Sequence, residues 1–398
     1  MDEGLERMSR AFAVLASEEP DGDLAMLAAQ LGRFLFFVGR AAEAAERTEL
    51  ALTLAEGLRL PRVFSEALNT KSLILDAQER SGEAYLLLEH SLEVALDNDL
   101  GASALRAYNN LCAFMSRAGR HDDELRTAAD GLELARRLGN RSWAEVLLAC
   151  HIAPSVYMGR WDEALALGAE VRAIPEFARS PQLVAECALL MQVHVSRGEL
   201  DEARELLRVI EEQAVGADVA LRASQTLARA QIARADGRYE VALEFAVNGF
   251  DMGRELGNRD PVVTDSFVEA VEAAFALEDL ATVDELVGLA DEFRPGQRSP
   301  FLDSQIARFH ARLAAIRGEG SAEARFKLAA ASFRERDVRF YLGATLLEFG
   351  EWLAGRGRVD DAEPVLREAR EIFEQLQAAP WIERLAKGAG ERVVPAPI

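Results

Sequence analysis

The sequence is poor in several things that would otherwise direct a reading. Only three cysteines occur among 398 residues, Cys112, Cys150 and Cys187, and no two form a C-x-x-C pair. A disulfide framework is therefore excluded, and a reducing compartment fits. Lysine is almost absent: Lys71, Lys327 and Lys387 are the only three, so 42 of the 45 basic residues are arginine. The five histidines, His90, His121, His151, His194 and His310, fall in no His-Glu-x-x-His run and in no i, i+4 pair. No metal site is expected from that spacing. Aromatic residues make up 7%. Long apolar runs are missing too. The strongest near the start, Phe34-Leu35-Phe36-Phe37-Val38, falls far short of the ~20 residues that span a bilayer. Met1-Asp2-Glu3-Gly4 is acidic and lacks the basic-then-apolar layout of a secretory signal. The expected location is cytoplasmic, with no membrane partner. Positive charge is in deficit, 45 basic against 67 acidic residues for a net −22. A phosphate-neutralising face is not expected, and neither is a nucleic-acid partner.

What the chain does have is helix-forming material: 49% hydrophobic and 28% charged residues, with Ala, Leu, Arg and Glu dominating. A length of 398 residues at ~150 per domain suggests two or three domains. Internal periodicity overrides that arithmetic. A Gly, a polar residue, a large residue and one or two acids return along the chain. The clearest copies are Gly159-Arg160-Trp161-Asp162-Glu163-Ala164, Gly198-Glu199-Leu200-Asp201-Glu202-Ala203 and Gly237-Arg238-Tyr239-Glu240-Val241-Ala242. Others begin at Gly39, Gly119 and Gly357, with degenerate copies at Gly82, around Glu278-Asp279, and at Gly318. Successive copies keep close to a ~40-residue step, the copy at Gly82 coming a little late and the next a little early.

Each copy carries the same physics. About 17 residues with apolar positions at i, i+3, i+4 and i+7 precede the Gly, as in Leu105, Tyr108, Leu111, Cys112 and Met115. A similar stretch follows, as in Leu125, Ala128, Leu132 and Leu134. The Gly ends helix A in a left-handed conformation, and the acids open helix B at its positive dipole end. A small residue five places on, Ala44, Ala164, Ala203, Ala242 or Ala362, lets helix B approach helix A. Much of the −22 charge thus belongs to the punctuation of the fold. A hairpin of ~40 residues cannot bury its own apolar faces and must stack on neighbours.

At Tyr108, Leu111, Cys112, Gly119, Trp161, Ala164 and Tyr239 the sequence resembles a tetratricopeptide-repeat (TPR) array of the longer-repeat kind. The last repeat, Phe340-Tyr341-Leu342-Gly343-Ala344-Thr345-Leu346-Leu347-Glu348-Phe349-Gly350 through Phe373, is similar to the C-terminal helical arrays of bacterial signalling ATPases. These include LuxR-type large regulators and ATPase-linked adenylate cyclases. The resemblance implies an all-α, right-handed superhelical solenoid of about nine helix–turn–helix repeats over residues 1–388. Residues 1–17 would form an unpaired first helix or cap, a capping helix would lie near 380–388, and 389–398 would be an irregular tail containing Pro395 and Pro397. An ATPase or cyclase module would lie upstream, since no Gly-x-x-x-x-Gly-Lys loop occurs in this chain.

No catalytic pattern is present: no Gly-x-Ser-x-Gly elbow occurs, and the carboxylate pairs Asp122-Asp123 and Asp360-Asp361 sit where helix B begins. The three cysteines fall on different helical faces and read as buried structural thiols. Phe34, Phe36, Phe37 and Val38 are expected to be partly covered by helix B. No cofactor is expected. The resemblance places the inner wall of the solenoid on helix A, at positions that follow one helical face up to each turn. Candidate binding residues there are Arg33, Asn69, Asp76, Arg106, Asn109, Gln192, Gln231, Glu272, Arg308 and Arg312, with Ser72 and Glu351 beside them. Asn offers both donor and acceptor, and Arg a planar fork, so a peptide backbone or carboxylate suits them. A solvated face would carry the same residue types. The expected function is a non-catalytic scaffold for a protein, peptide or small ligand, as the sensing region of a bacterial signalling or transcription-regulatory protein. The alternatives are a free-standing peptide receptor of quorum-sensing type and a helical enzyme with a site assembled across repeats.

Overall fold

The computed structural model describes residues 2–175, 177, 180–214 and 219–390; the tail expected from Val393 to Ile398 lies outside them. Among the described residues there is no strand. The helices of the first half are α1 (Asp2–Leu15), α2 (Gly22–Phe37), α3 (Ala41–Leu58), α4 (Pro61–Ala77), α5 (Ser81–Asp97), α6 (Gly101–Arg117), α7 (His121–Arg137), α8 (Arg141–Ala149), α9 (Ile152–Tyr157), α10 (Trp161–Arg172), α11 (Pro181–Ala188) and α12 (Leu190–Arg197). They are followed by α13 (Leu200–Ala214), α14 (Val219–Ala235), α15 (Tyr239–Asp251), α16 (Gly253–Leu256), α17 (Pro261–Ala276), α18 (Leu280–Asp291), α19 (Pro300–Ile316), α20 (Ala322–Glu335), α21 (Arg339–Gly355), α22 (Val359–Leu376) and α23 (Ala379–Gly390). Helix A of the fourth repeat is split into α8 and α9 just before Pro154, whose missing N–H cannot bond the Cys150 carbonyl.

The turns are more regular than the glycines suggest. Left-handed backbone closes helix A at Gly39, Glu79, Gly119, Gly159, Gly198, Gly237, Glu278, Gly318 and Gly357, an almost constant step. The second turn therefore sits at Glu79 and not at Gly82, which lies inside α5. A second left-handed residue closes helix B at Arg59, Asp99, Gly139, Gly257, Asp337 and Gln377. Five places past the first turn, Ala44, Ala84, Ala164, Ala203, Ala242, Val283 and Ala362 are all buried, as close helix packing requires. Two repeats break that rule: Glu124 occupies the same position and is buried as well, and Glu323, past Gly318, occupies it half-exposed.

The acids that open helix B do more than meet the dipole. The residue after the turn is repeatedly arginine, it stands at the N-cap without a side-chain cap bond, and it grips the acid three places on. Arg40 Nε donates to Glu43 Oε1 at 2.7 Å, Arg80 Nε to Glu83 Oε1 at 2.9 Å and Arg358 Nε to Asp361 Oδ2 at 2.7 Å.

The described residues form two compact units. Unit 1 comprises 1–114 and 126–147, and unit 2 comprises 115–125 and 148–398. Each is an array of TPR-like hairpins, so the fold class is the expected all-α superhelical solenoid. In unit 1 the core runs from Phe12 and Leu24 through Leu52 and Val63 to Leu68, with Arg47 lying 4.4 Å over the Phe12 ring. Phe36 packs into a second cluster with Leu35, Ala44 and Ile74. Phe34 and Phe37, expected under helix B, remain 42% and 59% exposed. On α2 they lie about 100° and about 160° round the axis from the buried Leu35, so turning them inward would turn the core face out.

Unit 2 is wound tightly on itself. The turn Gly119 lies against Pro300, Gly159 against Arg339 and Gly198 against Pro380. The separation is nearly the same in all three pairs, so successive superhelical turns touch after about four and a half repeats. At Gly159 (φ +76°) a Cβ would come within 2.9 Å of Arg339 Cβ and Leu376 Cδ2. The contact is pinned by polar bonds. Arg197 Nε donates to the Leu376 carbonyl at 3.0 Å, its NH2 donates to Asp162 at 2.7 Å, and Gln377 Nε2 donates to Asp162 at 3.1 Å.

Candidate functional site

The inner row of helix A residues differs between the two units. In unit 2, helices α14, α17, α19 and α21 pack in sequence and alternate in charge. Arg234 Nε donates to Glu269 Oε2 at 2.6 Å. Arg308 NH2 donates to Glu272 Oε1 at 2.6 Å, and its Nε donates to Glu348 Oε2 at 2.9 Å. Arg312 NH1 donates to Glu272 Oε2 at 2.8 Å, with its guanidinium 3.8 Å over the Phe275 ring. One further rung joins Glu351 to Arg384 of α23 at 2.9 Å. Arg308 is 1% exposed. Desolvation opposes the charge on Glu272, but the two guanidinium groups facing it more than offset this and hold it far below the usual carboxylate range. Three of the expected binding residues, Glu272, Arg308 and Arg312, are thus brought together as a buried ion network. Gln192 and Gln231 line its edge, beside a cavity of about 20 Å³ also bordered by Tyr341 and Trp381. That volume holds little more than one water.

A second buried cluster lies where the 115–125 turn packs into unit 2, and nothing in the sequence pattern singles it out as a group. His121 stacks on Tyr157 with ring centroids 4.9 Å apart, and the Tyr157 hydroxyl donates to Asp265 Oδ2 at 3.1 Å. Glu124 lies 3.4 Å from His121 Nδ1. Burial holds the His121 imidazole neutral, pushed down to about 4. Burial, added to by neighbouring carboxylates, pushes Asp265 up to about 7 and Glu186 up to about 8. The signal that points to part of it is Glu124 at a position where seven of the other repeats carry a buried Ala or Val. Among the described residues, no group of three or more His, Cys, Asp or Glu could hold a metal ion.

The inner row of unit 1 is joined differently. Helices α2, α4 and α6 carry Arg33, Asn69 and Asp76, and Arg106 and Asn109. Two bonds there join neutral acceptors: Arg106 NH2 donates to Thr70 Oγ1 at 3.0 Å, and Asn110 Nδ2 to Asn69 Oδ1 at 2.7 Å. Asn109 lies half-buried beside Asn110 at 3.4 Å. Asp76 accepts from Ser81 at 2.8 Å and so belongs to the turn. Arg33 is exposed, 6.0 Å from the Phe37 ring centroid. Desolvation, with the nearby Arg33 charge, lowers the Arg106 guanidinium to about 10. The three cysteines are buried, and burial pushes the Cys187 thiol up to about 12, away from reactive thiolate chemistry.

No protein-family model matches the chain, and no curated protein matches it in sequence. Solved structures do match in fold. A monomeric mutant of IFIT1 with Gppp-AAAA aligns at 13% identity over 93% of this chain and 86% of that one, with a TM-score of 0.51. The apo form of the quorum sensor NprR from B. thuringiensis aligns at 13% identity over 94% of both chains, with a TM-score of 0.42. Yeast Tom70 aligns at 13% identity over all of this chain and 94% of that one, at 0.36. The IFIT1 likeness supports the fold alone; the other two are too loose to carry weight. With the turn register, it makes the fold that of a TPR-type helical-repeat array. Among the described residues no helix is long and apolar enough to cross a membrane.

Proposed function

We propose that this chain is a non-catalytic binding scaffold for a protein or peptide, and that the inner face of unit 1 is where the partner lies. The observation that carries this is the contrast between the inner rows. Unit 2 engages its own polar side chains in a buried ladder, whereas unit 1 leaves Arg33 and Phe37 open to solvent, with Asn109 half-buried beside Asn110. An aromatic ring, a guanidinium and an amide on one face suit an extended peptide, whose backbone the amide can read and whose acids the arginine can pair. The wider setting we infer is the sensing region of a cytoplasmic bacterial signalling or transcription-regulatory protein, with residues 1–388 as one array. The repeat register passes through both units without a break. A free-standing peptide receptor is the second reading.

The test is affinity capture from the native cell with the full chain and with Arg33→Ala plus Asn109→Ala. A partner retained by the parent and lost by the double variant is expected. A partner set identical for both chains would place the binding face elsewhere.

A further inference from the structure

Unit 2 holds its buried acids in two ways. Along the ladder each is gripped by arginine: Glu269 by Arg234, Glu272 by Arg308 and Arg312, and Glu348 by Arg308. Where the 115–125 turn packs in, no arginine takes that part for Asp265. Among the described residues no cation lies within ion-pair distance of its carboxyl. Its Oδ2 accepts from the Tyr157 hydroxyl at 3.1 Å, and its buried Oδ1 has no hydrogen-bond partner. A buried carboxylate in that state is costly, and a bound proton removes the cost.

Asp265 does not stand alone. The charges of Glu269 and of Asp260, the α17 cap, act on it, and Asp260 and Glu124 act in turn on Glu186 of α11. Glu124, bonded to Ser116 and 3.4 Å from His121, brings a buried acid to the position where seven other repeats carry a buried Ala or Val. Tyr341 of α21, within reach of Asp265, stays a neutral phenol. Little positive charge answers these acids. Arg234 is held by Glu269, Arg117 offsets part of the charge at Asp260, and burial keeps His121 neutral against the pull of Asp122 and Asp337. Four carboxyls from α7, α11 and α17 therefore share one neighbourhood.

We propose that Glu124, Glu186, Asp260 and Asp265 form a proton-operated latch for the 115–125 turn: while they hold their protons the turn stays seated in unit 2, and when they lose them it lifts. The turn is the part that can move. Helix α17 is packed among α14, α15 and α19. The turn is a short segment, seated by the His121–Tyr157 stack at 4.9 Å, the approach of Gly119 to Pro300 and the burial of Glu124. Lifting it takes Glu124 into water and leaves fewer like charges behind. Neutral carboxyls are the low-pH form. The seated state is therefore favoured at low pH and lost as pH rises, through about 7 for Asp265 and about 8 for Glu186. None of these groups lies on the inner face of unit 1, so the latch and the scaffold stand or fall separately.

The test is hydrogen exchange of the full chain, read as protection relative to the intrinsic rate at each pH. Between about pH 5.5 and about pH 9, protection of 115–125 should fall by about tenfold or more, the effect of one proton displaced over one pH unit. Protection of α22 should stay level over the same range. Glu124→Gln keeps the shape and removes the charge, and should hold the turn seated to the alkaline end. Asp265→Asn should do the same in part. Glu186→Gln, at a half-buried position, gives the same reading if Glu124→Gln does not fold. His121→Phe keeps a ring on Tyr157 and should leave the pH response in place. Protection of the turn that stays level in the parent, a fall unchanged in all three acid variants, or a fall abolished by His121→Phe would each overturn the latch.

Discussion

Two versions of one inner wall occur in this chain. In unit 2 the helix A residues form Arg234–Glu269, Glu272–Arg308–Glu348 and Glu351–Arg384 rungs, within a superhelix that touches itself about every four and a half repeats. In unit 1 the same wall is built from Asn69, Thr70, Arg106, Asn109 and Asn110, joined by neutral bonds. The difference teaches that a repeat can fix the backbone while leaving the inner surface free to be either structure or site. Where charges of opposite sign recur at the repeat spacing, the wall is satisfied from within. Where they do not, neutral bonds such as Arg106–Thr70 and Asn110–Asn69 join the wall.

The sharpest way to break the comparison is to cut the ladder. Arg308→Met would leave Glu272 with Arg312 alone and Glu348 with a distant Arg312 contact at 3.5 Å. Removing one partner of a buried pair costs about 3–5 kcal/mol, so unit 2 is expected to lose a large part of its stability. The equivalent change in unit 1, Arg106→Met, should do the reverse. Denaturant unfolding, with hydrogen exchange resolving α19 and α21 from α4 and α6, separates the two outcomes. Equal destabilisation by both would abolish the distinction.

Acidity should distinguish the units next. Asp265 and Glu186 have folded values raised to about 7 and about 8, above the ordinary carboxylate range near ~4. Their contribution is therefore fully present below pH ~4 and is lost progressively as pH rises through those folded values. Glu272 is shifted the other way, so its share is present above the ordinary range and lost as pH falls. In the unit 1 row, Arg106 titrates only near about 10. Exchange protection of α17 should fall as pH rises from ~4 to ~8, by no more than about 1.4 kcal/mol per pH unit for each carboxyl, while that of α4 stays level. Asp265→Asn should flatten the α17 profile; a slope unchanged in that variant would reassign the proton to another group.

Turn geometry gives a smaller contrast. Gly39 and Gly159 share left-handed backbone, at φ +78° and +76°, but a Cβ at Gly39 meets nothing within 4 Å. Gly39→Ala should cost about 1 kcal/mol, the left-handed penalty alone. Gly159→Ala adds the clash with Arg339 and Leu376, and about 1–3 kcal/mol more is expected from overpacking. Equal midpoints for the two variants would show that the contact between superhelical turns is not tight.

Much of this is legible in the residues. The ~40-residue step, the buried small position and the left-handed turns follow from local chemistry, since Gly before Arg-x-x-acid is punctuation readable at short range. Glycine alone misplaces the second turn at Gly82, because Glu79 takes left-handed backbone without being Gly. The inner row is legible as residues but not as partners. Arg308 and Glu272 look like groove side chains until their 36-residue separation is matched to the repeat; the sign alternation from Glu272 to Arg308 to Glu348 is the available signal. The tight winding of unit 2 is not legible, because it is the sum of small rotations per repeat, and no single residue encodes it. Nor is the unpaired state of Arg106, which depends on where Glu66 points.

The smallest effect closes the comparison. The Arg-to-acid grip that follows several of the turns occurs in both units, as Arg40–Glu43 in unit 1 and Arg358–Asp361 in unit 2. Both pairs are solvent-exposed, where Coulomb attraction is screened and side-chain ordering offsets it. Glu43→Ala and Asp361→Ala should each leave the thermal midpoint within the scatter of repeated melts. Equal, negligible changes would show that the turn punctuation is energetically the same throughout, so that the units differ only in what lines their inner wall. A large loss at Asp361 alone would mean instead that Arg358, which also holds Glu323 at 2.6 Å, anchors the stacking of unit 2 from its outer side.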